Sequence, residues 1–262
     1  MKDYKDSQSN LVAVVGIVAM TIASWLGTAS AGSISKVFAQ KENPEQKKKW
    51  QAINPVDEAA EPLDTHKRTL RQAKNRRYNS QRSDQVLTEQ PPDVVIGRID
   101  ETPGPSPLPF GESNAVILGT VVVAQPYLTE DKKSIYTEFT VRVEEAFKSD
   151  IPAHMWTENL MVLDQEGGAL RLTGGRILRY YVGGISRLPN LNGRYVLFVS
   201  LNHNNQDLTI LTGYEVHNGK VVSLEDGEDK SEYANWDEET FLGKLRSAVT
   251  QHSLSPGISG RK

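Results

Sequence analysis

The chain of 262 residues contains no cysteine. That absence excludes disulfide bonds, thiolate zinc sites, iron–sulfur clusters, a cysteine nucleophile and a lipid-modified N-terminal cysteine. A strong net charge is also missing, because 30 Lys and Arg residues balance 33 Asp and Glu residues to a formal net charge of −3. Bulk electrostatics therefore gives no argument for a nucleic-acid partner.

Apolar residues make up only 38% of the chain, which also has 13 prolines and 20 glycines. This composition predicts one medium-sized domain with extensions that do not belong to a core. We expect, in order, a polar N-terminus over 1–10, a hydrophobic segment over 11–32, a disordered basic and proline-rich linker over 33–112, a folded domain over 113–250 and a disordered tail over 251–262.

The longest uncharged run, Leu11 to Gly32, reads LVAVVGIVAMTIASWLGTASAG. As a helix it has about the length needed to cross the roughly 30 Å hydrocarbon core of a bilayer. Two small-x-small sites, at 29–31 and 37–39, also fit signal cleavage. The run therefore predicts either a transmembrane anchor or a cleaved signal peptide.

The flanking charges disagree about membrane orientation. Lysines are more numerous after the segment than before it, which by the positive-inside rule favours a cytoplasmic C-terminus. We nevertheless expect export, because the later lysines lie up to residue 49 among glutamates, and a large following domain is translocated despite them. The predicted location is the bacterial cell envelope, either anchored to the inner membrane or secreted.

The expected linker contains a strongly basic stretch, Asp64 to Arg82, with sequence DTHKRTLRQAKNRRYNSQR. Leu63, Leu70 and Ala73 lie at roughly helical spacing there, which is compatible with a short helix. Such a charge block is typical of a solvated, extended linker. The alternative is a tether to anionic lipid, nucleic acid or an acidic wall polymer.

The second half of the chain has the alternation of β-strands. In SIYTEFTVRVEEAF, Ile135, Thr137, Phe139, Val141 and Val143 occupy one face, and the residues between them occupy the other. Further strands are predicted at 114–125, 159–164, 193–201, 207–216 and 220–224. Short strands joined by turns predict a mainly antiparallel, partly open barrel or a sandwich, and parallel sheets are disfavoured.

Two glycine pairs in DQEGGALRLTGGRILRYYV raise the question of a phosphate-binding loop. A phosphate loop needs glycines that lead into a helix, whereas Gly174-Gly175 lead into an apolar run. We expect a two-residue hairpin turn in which Leu172 pairs with Ile177, so that Leu170, Leu172 and Ile177 share one face. A second hairpin is predicted over 217–220, at His-Asn-Gly-Lys.

One helix is predicted near the C-terminus. Asn235 is the expected N-cap, with Glu238 completing a capping box, and Phe241, Leu242, Leu245 and Val249 form one apolar stripe. The stripe predicts that this helix packs against the β domain.

No pattern predicts a catalytic, cofactor-binding or metal site. The histidines are isolated, without the i, i+4 spacing of a helical metal site. We name one possible ligand-facing surface of aromatic and basic side chains: Tyr136, Arg142, Arg171, Arg176, Tyr180 and Tyr181. The favoured interpretation of these side chains is cross-strand pairing alone.

The order of NAVILGTVVVAQ, TEFTVRVEEAFKSD, a glycine-rich hairpin, GRYVLFVSL and DLTILTGYEVHNGKV resembles exported bacterial proteins of unassigned function with an NTR/TIMP-like domain. The resemblance covers about 113–249 and implies an OB-type barrel and export. The metalloproteinase inhibitors of that fold group bind zinc through a terminal cysteine. This chain has no cysteine, so that mechanism does not carry over.

The sequence thus favours a non-enzymatic envelope protein whose β domain binds a protein or an anionic polymer. One alternative is an envelope hydrolase whose groups converge only in three dimensions, which requires titratable residues with perturbed pKa values in a pocket. The other is nucleic-acid binding through an OB-like face and the basic stretch, which requires a cytoplasmic domain.

Overall fold

The computed structural model describes residues 54–79, 86–89, 95–99, 106–183, 187–202, 207–225 and 232–254. The expected membrane segment 11–32 and the residues after 254 lie outside these ranges, as does the polar N-terminus 1–10.

The described part of the chain is mainly β. Its strands are β1 Val56–Asp57, β2 Val95–Ile99, β3 Ala115–Leu128, β4 Ile135–Ser149, β5 Leu160–Glu166, β6 Gly168–Arg171, β7 Ile177–Gly183, β8 Arg194–Asn202, β9 Asp207–His217 and β10 Lys220–Ser223. Two α-helices, α1 Thr65–Arg77 and α2 Glu238–Leu254, and two short 3₁₀ turns, Leu87–Glu89 and Ala153–Met155, complete it. Because α2 reaches Leu254, residues 251–254 are helical where a disordered tail was expected.

The larger sheet has six strands in the order β10-β9-β5-β4-β3-β8, and its strands are antiparallel except where β5 meets β9. β8 pairs with both β3 and β9. The pairings therefore run in a circuit through β3, β4, β5, β9 and β8, in which β5 and β9 share a single parallel pair, Asp164–Thr209. The predicted antiparallel β fold is confirmed at this level.

The smaller sheet has the order β1-β6-β7-β2. Its centre is the antiparallel β6–β7 hairpin, and each outer strand is parallel to its neighbour. The prediction that parallel pairing is disfavoured is wrong for this sheet, because its outer strands come from the segment that we expected to be a spacer.

The expectation of disorder over 33–112 is wrong for residues 54–79, which form β1 and α1 against the β domain. Asp64 caps α1 by accepting a hydrogen bond from the backbone N–H of Lys67 at 3.0 Å. Two of the basic residues that suggested a solvated run, Lys74 and Arg77, are paired with acidic residues of the sheet, as described below. The physical reason for the error is therefore long-range charge pairing, which local composition does not reveal.

The alternation predicted for β4 is confirmed, with Ile135, Phe139 and Val141 fully or almost fully buried. Of these three residues, Phe139 and Val141 pack with Leu163, Leu197 and others in the core enclosed by the larger sheet. A second core lies under α2, whose Phe241, Leu242 and Leu245 are buried as the apolar stripe predicted.

The cap of α2 differs from the prediction. Asp237 Oδ1 accepts hydrogen bonds from the backbone N–H groups of Glu239 and Thr240, at 3.0 and 3.3 Å. Asn235 instead has a left-handed backbone, with φ of 64°. The predicted capping box failed because Asn235 is used in a turn two residues before the cap.

The hairpin at 217–220 is confirmed, since His217 pairs with Lys220, and Asn218 and Gly219 have φ of 52° and 71°. Gly174-Gly175 also lie in a hairpin turn, but Arg171 pairs with Ile177 where Leu172 was expected to do so. The loop is one residue longer, which moves Ile177 to the face of Arg171 and brings Leu178 beside Leu170.

Candidate functional site

The outer face of β3, β4 and β5 carries polar and aromatic residues in cross-strand rows. One row joins Gln125, Glu138 and Asp164, and the row beside it joins Tyr127, Tyr136 and Glu166. The rows follow from alternation: because Phe139 and Leu163 point into the core, their neighbours along each strand point outward. We call the surface formed by Tyr127, Tyr136, Glu138, Asp164, Asp207 and Thr209 the acidic face.

Helix α1 covers the acidic face with basic side chains. Lys74 Nζ lies 2.6 Å from Glu138 Oε1, 3.6 Å from Asp164 Oδ2 and 3.6 Å from Asp207 Oδ1. Arg77 Nη1 lies 3.5 Å from Asp207 Oδ2 and 3.7 Å from Asp164 Oδ2. The two cations of α1 thus bridge three carboxylates that belong to three strands.

Asp164 is the centre of this contact, and its side chain is fully buried. Its Oδ1 accepts hydrogen bonds from Tyr78 Oη at 2.5 Å and from Thr209 Oγ1 at 2.9 Å. Its Oδ2 accepts no hydrogen bond within the described part of the chain and is balanced by the charges of Lys74 and Arg77. A buried carboxylate is tolerated only with such partners.

Aromatic rings form the neighbouring part of the contact. Tyr78 stacks on Tyr136 with ring centroids 4.8 Å apart, and Tyr136 stacks on Tyr127 at 5.4 Å. The guanidinium of Arg71 lies 4.5 Å from the centre of the Tyr127 ring. Tyr136 Oη donates to Asn75 Oδ1 at 2.9 Å. Stacking and cation–π contacts therefore add to the ion pairs between α1 and the sheet.

Burial and charge shift the pKa values of the groups in this contact. Burial lowers the pKa of Lys74, but the carboxylates of Glu138, Asp164 and Asp207 outweigh burial and hold that pKa above 10.5. Burial is the largest cause that raises the pKa of Asp207 above 3.8, against the opposing charges of Lys74 and Arg77. Burial and the Asp164 carboxylate raise the pKa of Tyr78 above 10.0. Lys74 is therefore charged and Tyr78 is a hydrogen-bond donor at neutral pH.

Among the residues that the structure describes, nothing covers the part of the same outer face that lies beside α1. Thr140 pairs with Val123 on one side and with Val162 on the other, and these two valines are 47% and 45% exposed. The next row joins Thr120, Arg142 and Leu160. This uncovered strip is less polar than the acidic face and is accessible to solvent.

The ligand-facing residues predicted from the sequence do not share one surface. Tyr136 lies on the outer face of the sheet but is buried where Tyr78 stacks on it, and Tyr180 and Tyr181 are buried as well. This burial corrects the expectation that the three rings are open to a ligand. Arg142 lies exposed on the uncovered strip. Arg171 and Arg176 lie at the β6–β7 hairpin, where Arg171 pairs with Asp57 at 3.0 Å and Arg176 donates to the carbonyl of Thr88.

Sequence reasoning missed the residues that meet under α1. Lys74 and Arg77 were recognised only as members of a basic block, and Asp164 and Asp207 only as ends of strands. One signal was present: Arg71, Lys74 and Arg77 recur at intervals of three, which places them along one side of a helix. No signal in the sequence identified their partners, which lie 56 to 132 residues away along the chain.

The chain matches no protein-family model, no curated protein and no solved structure. Within the residues that the structure describes, no group of His, Asp or Glu side chains is arranged to hold a metal ion. Neither α1 nor α2 is long and apolar enough to cross a membrane, and the expected membrane segment 11–32 is not among the described residues.

Proposed function

We propose that this chain is a non-enzymatic protein of the bacterial cell envelope, whose β domain is a partly open OB-type barrel that binds a protein or polymer partner. The N-terminal run 11–32 is the membrane anchor or the cleaved signal. The proposal rests on two observations, which are the sequence pattern of an exported protein and the surface of the β domain described above.

The circuit of pairings through β3, β4, β5, β9 and β8 supports the barrel. Five strands that enclose one apolar core, with a single residue pair between β5 and β9, are what a partly open barrel requires. The same circuit agrees with the resemblance to NTR/TIMP-like modules. In OB-type barrels the outer face of the second and third strands is a common binding surface, and the corresponding strands here are β4 and β5.

The observation that carries the proposal is that this outer face already binds a segment of protein. Helix α1 lies on β4 and β5 through ion pairs, hydrogen bonds and stacked rings, and no residue of α1 is itself buried. Contacts of this kind resemble a protein–protein interface more than a hydrophobic core. A barrel that recognises its own helix in this way has the chemistry to recognise another chain.

The hydrolase alternative fits the same contact less well. It expects titratable groups with perturbed pKa values, and Lys74, Tyr78 and Asp207 have them. However, Lys74 is engaged by three carboxylates, and the Tyr78 hydroxyl is engaged by Asp164. Side chains that bind each other across a helix–sheet contact act as structural partners.

The charges also oppose nucleic-acid binding at this face. An OB-type barrel that binds nucleic acid needs basic residues to contact phosphate groups. Here the sheet supplies Glu138, Asp164 and Asp207, and the helix turns Lys74 and Arg77 toward them. We therefore propose a protein or polymer partner and no nucleic acid.

The first experiment tests the location. An alkaline-phosphatase reporter fused after Lys262 is expected to be active in the periplasm, and N-terminal sequencing of the mature chain distinguishes an anchor from a cleaved signal. An inactive reporter with a full-length, correctly produced fusion would place the β domain in the cytoplasm and contradict the proposal.

The second experiment tests the binding surface in cells. The natural chain has no cysteine, so Val162→Cys can be labelled with a photoreactive group without background. We expect crosslinks from Val162→Cys on the uncovered strip and none from the matched control Thr173→Cys at an exposed hairpin tip. Equal crosslinking from the two positions would count against a partner site on this face.

A further inference from the structure

We infer that helix α1 is a displaceable occupant of the acidic face, and that the partner recognised there is a basic helix that presents cations at the spacing of Arg71, Lys74 and Arg77. This inference rests on the proposed function and deepens it, because it names the class of partner and the element that competes with it.

The side of α1 that faces the sheet is the cationic one, which is unusual for a docked helix. Docked helices of globular proteins usually turn an apolar stripe inward. In α1 the apolar residues point away instead, since Leu63, just before the helix, is 95% exposed and Leu70 is 45% exposed. The residues of α1 itself are thus attached by polar and cation–π contacts, and the aromatic burial in this contact comes from Tyr78, just after the helix, which stacks on Tyr136.

The contact is balanced in charge. Arg71, Lys74 and Arg77 contribute three cations, and the acidic face contributes the three carboxylates of Glu138, Asp164 and Asp207. Removal of α1 alone would leave three negative charges close together at a partly buried site, which is costly. The acidic face therefore favours an occupant that brings cations of the same spacing, whichever chain supplies it.

The geometry of the face sets that spacing. Residues three and six positions after Arg71 lie along the same side of the helix. Arg71 meets the Tyr127 ring, Lys74 meets Glu138, and Arg77 meets Asp207 and Thr209, with Arg77 Nη2 2.5 Å from Thr209 Oγ1. A second helix with basic residues at i, i+3 and i+6 would reproduce all of these contacts.

A peptide-binding experiment on the full-length chain in nonionic detergent tests this inference. The probe is a fluorescent peptide with the sequence of residues 61–79. In wild-type protein the resident α1 competes with it, so binding is expected to be at least about tenfold weaker than in a Lys74→Ala/Arg77→Ala variant, where the resident helix is loosened. Fluorescence anisotropy gives both dissociation constants.

Two controls make the result specific. Lys67→Ala/Arg76→Ala removes the same charge from exposed positions of α1, and its peptide affinity is expected to equal that of wild type. A peptide in which Arg71, Lys74 and Arg77 are replaced by glutamine is expected not to bind. Equal binding to both double variants, or no binding to a folded Lys74→Ala/Arg77→Ala variant, would overturn the inference.

Hydrogen exchange of the wild-type chain tests displaceability even if the double variant fails to fold. The backbone amides of α1 are expected to exchange through a local opening that is faster than the global unfolding reported by β4. Exchange of α1 only together with β4 would overturn the inference. That result would leave envelope location and binding at the uncovered strip intact, because the reporter fusion and the Val162 crosslink test those separately.

Discussion

Tyr78 donates a hydrogen bond from its hydroxyl to Asp164 Oδ1 at 2.5 Å, and so connects the end of α1 to a fully buried carboxylate of β5. The two residues are 86 positions apart in the chain. This bond, together with the contacts of Lys74 and Arg77, joins the basic segment to the β domain as one folded unit. The folded domain consequently begins about sixty residues earlier than the strand pattern alone indicates.

The first prediction concerns that bond. Tyr78→Phe is expected to lower the free energy of unfolding by about 1.5–3 kcal/mol, because it removes a hydrogen bond to a buried charged group. The matched control is Tyr127→Phe, whose hydroxyl lies 3.4 Å from Arg71 Nη2, and its effect is expected to stay within about 0.5 kcal/mol. Urea unfolding followed by circular dichroism measures both. If both variants lost the same free energy of unfolding, the bond to Asp164 would contribute no more to stability than the Tyr127 contact does.

The second prediction compares Gly119 in strand β3 with Gly243 in helix α2. A Cβ at Gly119 would lie 2.6 Å from the carbonyl oxygen of Arg142 on the paired strand, whereas a Cβ at Gly243 would meet nothing within 4 Å. Gly119→Ala is expected to destabilise the protein by about 1–3 kcal/mol through overpacking. Gly243→Ala is expected to stabilise it by about 0.5–1 kcal/mol, because alanine is the better residue inside a helix. A neutral Gly119→Ala would show that β3 and β4 do not pair in the register described.

The third prediction distinguishes the observed cap of α2 from the predicted one. Asp237→Ala removes the acceptor for the N–H groups of Glu239 and Thr240, and a loss of about 1 kcal/mol is expected. Asn235→Gly is expected to be neutral or slightly stabilising, because glycine adopts the positive φ of that position without strain. The melting temperatures of the two variants distinguish the two caps. A lower melting temperature for Asn235→Gly and an unchanged one for Asp237→Ala would support Asn235 as the N-cap instead of Asp237.

The fourth prediction concerns alkaline pH. Burial raises the pKa of Tyr195 to about 12 from an ordinary value of 10.0, and it raises the pKa of Tyr181 to about 12 as well. Above pH 10.0 the unfolded chain releases these protons before the folded chain does. The stability that depends on the neutral hydroxyls is therefore complete below pH 10.0 and is lost as the pH rises toward 12.

Tyr195→Phe isolates one of these protons. The variant is expected to lose up to about 1.4 kcal/mol less per pH unit than wild type over that window. Urea unfolding at a series of pH values measures the slope, and absorbance near the phenolate band follows ionisation directly. Identical slopes for the two proteins would mean that Tyr195 ionises normally in the folded state.

Local sequence patterns were sufficient for much of the β domain. The alternation of Ile135, Phe139 and Val141 predicted the buried side of β4, because successive side chains of a strand point to opposite faces. The spacing of Phe241, Leu242 and Leu245 predicted the buried side of α2. The Asn-Gly pair at 218–219 predicted a tight hairpin, because both residues accept positive φ.

Errors of one or two residues arose where several local solutions had similar energies. At Gly174-Gly175 the chain forms a loop one residue longer than the predicted turn, and this change of register reversed the faces assigned to β7. At the start of α2, both Asn235 and Asp237 are good capping residues, and the turn made by Asn235 left the cap to Asp237. Packing of the flanking strands and helix selects one solution in each case.

The sequence by itself determined the long strands of the larger sheet, the C-terminal helix, and the apolar sides of β4 and α2, since these depend on a periodicity that a few neighbouring residues display. Only the tertiary structure decided that Lys74 and Arg77 form ion pairs with carboxylates of the sheet, those of Glu138, Asp164 and Asp207. Attraction between opposite charges has no period along a chain, and its strength depends on burial and on distances that exist only after the strands have assembled. A basic segment that reads locally as a spacer becomes, for that reason, part of the folded domain and covers its acidic face.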